Sequence, residues 1–212
     1  RRLPRTVLTE EEVERVLAQP NVEVPSGVRD RALLETLYST GMRRMEVVKL
    51  SIEDLDVERR MIFVHQGKHK KDRWCPIGER ALEWNERYLS EVRPAFVVDP
   101  DERMLYLTQY GKRLSEDGLS HRVTRYVQKA HLAKEGSCHL FRHSCATTML
   151  EHGADVRALQ QLLGHSKLDT TMLYTQVSIT HLKAEHARTH PSAKRPHKDD
   201  DAGDAEDPEN AE

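Results

Sequence analysis

The sequence predicts a mainly α-helical domain that carries a small antiparallel three-stranded β-sheet. Three observations predict it. Apolar residues recur at helical spacing through most of the chain. Between Ile52 and Ile77 that texture gives way to short runs of strand character joined by polar turns. Capping residues punctuate the helical runs, with Thr9 and Asp155 placed to open them and Gly41, Gly153 and Gly164 placed to close them.

Taken in order, Thr9-Glu10-Glu11-Glu12 reads as a capping box opening a helix that turns Val13, Val16 and Leu17 inward. Pro20 to Gly27 reads as a connector. A second helix follows with Val28, Ala32, Leu33 and Leu37 on one face and Gly41 as its stop, and Arg43 to Leu50 resumes as a short helix. Asp54–Val57, Met61–Val64 and Arg73–Ile77 form the sheet. Its second and third strands flank Gln66-Gly67-Lys68-His69-Lys70-Lys71-Asp72, a strongly basic hairpin loop. Helices are expected over 79–91, 120–133 (with Ser120 as N-cap), 140–152, 156–163 and 170–175. An amphipathic helix over 178–188 comes last.

Composition bounds the function. At 212 residues the chain holds one sizeable core, or one domain with appendages. Charged residues make up 32% and the mean hydropathy is −0.72, while no apolar run approaches the ~20 residues a bilayer span requires. The start, Arg1-Arg2-Leu3-Pro4, offers no apolar signal region. A soluble, cytoplasmic, nucleoid-associated bacterial protein is expected. The chain does not begin with Met, so a missing upstream part is expected too. Cys75, Cys138 and Cys145 make neither an even set nor a metal-ligand spacing, and read as reduced thiols. The formal net charge of −2 hides an asymmetry. Eight acidic residues and no Lys or Arg lie between Asp199 and Glu212, in a composition expected to stay disordered. Elsewhere 33 basic residues face 27 acidic ones, a mildly basic balance suited to binding phosphates.

Two arginines, two histidines and a tyrosine stand out: Arg43 after Thr40-Gly41-Met42, His139 and Arg142 in His139-Leu140-Phe141-Arg142, His165 after Leu163-Gly164, and Tyr174 nine residues on. A phosphodiester under in-line attack gathers charge on its non-bridging oxygens, and planar guanidinium forks match that geometry. His139 and Arg142 are three apart and share a helical face. Singly, each has an ordinary reading: a solvated surface arginine, a loop histidine, a core tyrosine, a solvated hairpin lysine at Lys68. His143, four residues after His139, has the spacing of a zinc pair, but the Glu of H-E-x-x-H and a third ligand are missing, so it reads as structural. His69, Lys70, Lys71 and Arg73 read, with Lys68, as contacts to a DNA backbone.

The assembled pattern resembles the catalytic domain of tyrosine recombinases, the phage-integrase family of the Xer and lambda-integrase kind. The resemblance runs from about Leu8 to Arg188. Thr40-Gly41-Met42-Arg43-Arg44-Met45-Glu46 is similar to the family's T-G-x-R-x-x-E box, Gly67-Lys68 to its catalytic-lysine loop, His139-Leu140-Phe141-Arg142-His143-Ser144 to H-x-x-R-H-[ST], and Leu162-Leu163-Gly164-His165-Ser166 to L-L-G-H-[SA]. Tyr174 falls at the nucleophile's usual offset. The resemblance implies three parts: a linker over 1–8 from a missing N-terminal core-binding domain, a catalytic domain over 9–190, and a disordered acidic tail over 191–212.

It further implies a catalytic set of Arg43, Lys68, His139, Arg142, His165 and the nucleophile Tyr174. These would cleave and rejoin double-stranded DNA through a covalent 3′-phosphotyrosyl intermediate, with no cofactor, metal or ATP. A homotetramer on DNA, monomeric in isolation, is the expected assembly, and the 178–188 helix is expected to pack onto a neighbouring protomer or onto its own domain. Type IB topoisomerase-like relaxation of DNA, and a catalytically inactive DNA-binding accessory protein, are the alternatives.

Overall fold

The structure, a computed structural model, describes residues 7–65 and 72–164. Helix α1 (Glu10–Leu17) opens on the expected capping box. Thr9 Oγ1 accepts from the Glu12 amide at 3.2 Å, and Glu12 Oε2 accepts from the Thr9 amide at 2.8 Å. Helix α2 (Pro25–Thr40) begins inside the stretch predicted as a connector. Pro25 occupies its first turn, where the absent N–H costs nothing. Gly41 closes it in the left-handed conformation, φ 58°, with its amide donating to Leu37 O. The chain then re-enters a one-turn helix, α3 (Arg44–Val47).

Strands β1 (Leu55–Asp56), β2 (Met61–Val64) and β3 (Arg73–Pro76) make one antiparallel sheet in chain order. Its register pairs Ile62 with Cys75 and Val64 with Arg73. Ile62, Val64 and Cys75 are buried, whereas Trp74 on the opposite face is exposed.

The helix predicted over 79–91 is interrupted. Helix α4 (Glu79–Arg87) passes into a π-helical turn over Tyr88–Val92 and then α5 (Arg93–Phe96). Pro94 is the physical cause: it cannot donate to the Ser90 carbonyl, and its ring crowds that turn, so the helix widens ahead of it. Helix α6 (Glu116–Lys129) starts at Ser115, whose Oγ accepts from Gly118 N at 3.0 Å. Ser120, predicted as the cap, lies inside the helix. Helix α7 (Cys138–Glu151) begins two residues before its expected start. Helix α8 (Val156–Leu163) has the predicted ends, with Asp155 Oδ1 accepting from the Arg157 and Ala158 amides and Gly164 left-handed at φ 64°.

Helix α2 is the centre of the molecule, packed against α4 and α7. It is buried nearly all round, so Arg29, Asp30 and Glu35 are buried with it, each with an ionic partner. The main core gathers α1, α2, the sheet, α4, α6 and the first half of α7. A separate small cluster, Ala146, Leu150, Leu159 and Leu163, joins α8 to the end of α7. Cys75, Cys138 and Cys145 are buried free thiols. Among the described residues no helix is long and apolar enough to cross a membrane.

Candidate active site

The site is built around the turn that ends α2. Thr40 Oγ1 donates to Thr36 O at 2.6 Å and accepts from Met42 N at 3.3 Å, shaping a turn that only Gly41 fits. A Cβ there would lie 2.8 Å from Leu163 Cδ2, in a backbone conformation costly for any L side chain. The turn therefore packs directly on the end of α8, and it delivers Arg43 to the start of α3.

Arg43 is held on two sides. Its amide and Nη1 donate to Glu46 at 2.8 and 2.9 Å, and its Nη2 donates to Gly164 O at 3.0 Å. Arg142, buried on α7, donates from Nη1 to Gly41 O at 2.6 Å and from Nη2 to Leu163 O at 2.8 Å. The two guanidinium groups that the sequence separates by about a hundred residues thus end on the carbonyls of adjacent residues. Helix C-termini leave their last carbonyls unpaired and negatively polarised, so cations settle there. His139 lies one turn before Arg142 on α7 and is exposed.

A third arginine completes the cap. Arg73 Nε donates to Leu162 O at 3.0 Å, so Leu162, Leu163 and Gly164 each receive a different arginine. Arg73 also grips Glu46 side-on, Nη1 to Oε1 and Nη2 to Oε2, both at 3.0 Å. Burial pushes the Glu46 carboxyl up. Hydrogen bonds from Arg73 and the Arg43 amide, with both positive charges, outweigh that and leave it below its ordinary range. Arg73, expected among the DNA contacts, has an 11% exposed side chain turned inward against Glu46. The pleat carries the signal that finds it, because Arg73 shares the inner face of β3 with Cys75.

Two thiols line the same turn. Cys75 Sγ donates to Thr40 O at 3.6 Å, and burial pushes this thiol up to about 11. Burial likewise pushes Cys145 up to about 12. His143, half-buried, has its pKa lowered, by burial first and then by its neighbours His139 and Arg142. Ser144 ties the far side of the motif down, donating to Leu140 O at 2.7 Å and accepting from Leu8 N at 2.8 Å.

The structure thus brings Arg43, His139 and Arg142 to one end of α7, α8 and the α2 turn. Lys68, His69, Lys70 and Lys71 lie outside the described residues, as do His165, Tyr174 and the helices expected over 170–175 and 178–188. Their attachment points are defined: β2 and β3 close on the Val64–Arg73 pair at the base of the lysine hairpin, and Gly164 precedes His165.

A family profile described as "Phage integrase family" matches residues 6–181. The chain is 52% identical over 190 residues to the "Tyrosine recombinase XerC 2" of Ralstonia nicotianae, covering 90% of this chain and 54% of that protein. It is 40% identical to the "Tyrosine recombinase XerD" of Pseudomonas aeruginosa, over 89% of this chain and 63% of that one. The chain therefore spans little more than half the length of these relatives. In three dimensions it is similar to the XerA recombinase (TM-score 0.76, 29% identity, 90% of this chain and 67% of that one). It is also similar to the XerH site-specific recombinase in a post-cleavage complex with palindromic difH substrate (TM-score 0.74, 28% identity, 88% and 53%).

Proposed function

The chain belongs to the phage integrase family, and from that premise we propose that it is the catalytic part of a site-specific DNA recombinase. The observation that carries this reading is the convergence of Arg43 and Arg142 on neighbouring carbonyls, with His139 one turn away. Two guanidinium forks aimed at one region suit a phosphate whose non-bridging oxygens gain charge during attack.

In the proposed reaction the Tyr174 oxygen attacks the scissile phosphorus of double-stranded DNA, and His139 helps to take the phenolic proton. The bond to the 5′-oxygen breaks, Lys68 protonates the departing oxygen, and a 3′-phosphotyrosyl ester remains. Arg43, Arg142 and His165 hold the non-bridging oxygens. A 5′-hydroxyl of a second strand then attacks the phosphotyrosine, giving the proton back and releasing Tyr174. The ester keeps the energy of the phosphodiester, so the balance closes without ATP. Lys68, His69, Lys70 and Lys71 contact the backbone from the hairpin, and a homotetramer on DNA brings four such sites together. Integration, excision and dimer resolution would share this chemistry.

A duplex carrying a nick beside the cleavage position tests the reading, because the short fragment that bears the new 5′-hydroxyl diffuses away and the adduct accumulates. The expected result is a covalent protein–DNA species mapped to Tyr174 and absent from Tyr174→Phe. An adduct formed by Tyr174→Phe at the parent rate would reassign the nucleophile. Plasmid relaxation without exchange between two sites would move the reading to a topoisomerase.

A further inference from the structure

We propose that Arg73 is a positioning residue for the strand-cleavage reaction: by neutralising Glu46 it leaves the charge of Arg43 free for the scissile phosphate. The inference rests on the recombinase reading and adds a residue to it. Glu46 is needed where it stands, since its carboxylate caps α3 and fixes the Arg43 backbone and fork. A carboxylate 2.9 Å from a phosphate-binding guanidinium also has a cost, because the pair alone carries no net charge and would attract no anion. Arg73 removes that cost. It takes both Glu46 oxygens side-on and restores a surplus of one positive charge to the trio.

Exposure divides the two arginines. The Arg43 side chain is 31% exposed and keeps an open side, while Arg73 at 11% is enclosed and does not reach a substrate itself. Arg73 also stands at a junction. It begins β3 directly after the lysine hairpin, pairs across the sheet with Val64, and caps Leu162 O two residues before Gly164. One guanidinium therefore fixes the base of the hairpin, the arginine box and the end of α8 against each other.

Single-turnover adduct formation on the nicked duplex, with affinity for the intact duplex measured beside it, tests the proposal. Arg73→Gln is expected to slow adduct formation about 100-fold, because an uncompensated Glu46 then weakens the Arg43 oxyanion contact, while duplex affinity stays within about threefold. Adding Glu46→Gln removes the uncompensated carboxylate and should recover at least about tenfold. Arg73→Lys keeps the charge without the fork and should lose less than about tenfold. The proposal is overturned by Arg73→Gln cleaving at the parent rate, by a double variant no faster than the single, or by Arg73→Lys as slow as Arg73→Gln. If the parent chain itself forms no adduct, the recombinase reading fails. Inorganic phosphate then decides the role of Arg73 alone, through the rise in Tm it produces in the DNA-free chain. That rise should shrink in Arg73→Gln and return in the double variant, and equal rises in all three would sink the proposal.

Discussion

Asp30 and Glu46 are buried carboxylates that each meet more than one arginine, and they are put to different uses. Asp30, on α2, accepts from Arg29 at 2.7 and 2.9 Å and from the Tyr126 hydroxyl at 2.7 Å, with Arg122 and Arg125 each 3.9 Å away. Glu46, on α3, is shared by Arg43 and Arg73. Around Asp30 the nearest arginine, Arg29, is as enclosed as the carboxylate and turns its third nitrogen, Nη1, to Leu107 O. Around Glu46 one arginine is enclosed and the other opens outward. The same ion-pair chemistry stitches α2 to α6 in one place and prepares a site in the other. The difference lies in which guanidinium keeps a free side.

The largest expected effect breaks the Asp30 cluster. Asp30→Ala strands Arg29 as a buried unpaired charge and should cost about 3–5 kcal/mol in urea unfolding, with adduct formation unchanged wherever the protein remains folded. A comparable loss of cleavage in folded protein would erase the distinction between the two clusters. Arg43→Ala is next and acts the other way. Adduct formation should fall about 10²- to 10³-fold, roughly 3 kcal/mol in the transition state, with a smaller loss of stability than Asp30→Ala causes.

Alkaline titration separates the clusters by pH. Cys75, beside Glu46, is raised from 9.0 to about 11, and Tyr126, beside Asp30, from 10.0 to about 12, burial being the main cause in both. Each folded group holds its proton more tightly than the unfolded chain does. The stability each contributes is therefore complete below its unfolded value and lost as pH rises through its folded one. The Cys75 share, on the order of 2 kcal/mol, should fade between pH 9 and 11 and be missing from Cys75→Ala. The Tyr126 share should fade one unit higher and be missing from Tyr126→Phe. Arg122→Ala is the smallest effect. Burial and the nearby Arg29 already disfavour the Arg122 charge, and among the described residues its buried Nε has no hydrogen-bond partner, so its removal should shift stability by no more than about 0.5 kcal/mol.

Much of this was legible in the chain wherever a local rule acts alone. Thr9 with Glu12, Asp155 with Gly164, and the alternation around Ile62 and Val64 each announce an element from a handful of neighbours. Ser120 misled because a serine ahead of an apolar run resembles a cap, whereas Ser115 has the acidic first turn that suits a helix N-terminus. The turn at Tyr88 depends on what a proline six residues later denies to the helix, so the window read as uniform. The arginine boxes stood out by their motifs. Arg73 did not, since it ends a basic run and only the pleat of β3 turns it inward.

The small apolar cluster under α8 has a kinetic consequence. Leu159 and Leu163 meet Ala146 and Leu150 in a cluster of their own, while Leu162 and the arginines on the last carbonyls tie α8 to the rest, so this helix is expected to open more readily than α2. Amide protons of α8 should then exchange with solvent deuterium by a local opening of their own, well before those of α2. A phosphate that bridges Arg43 and Arg142 would slow that exchange by steadying the two arginines that hold the C-terminal end of α8.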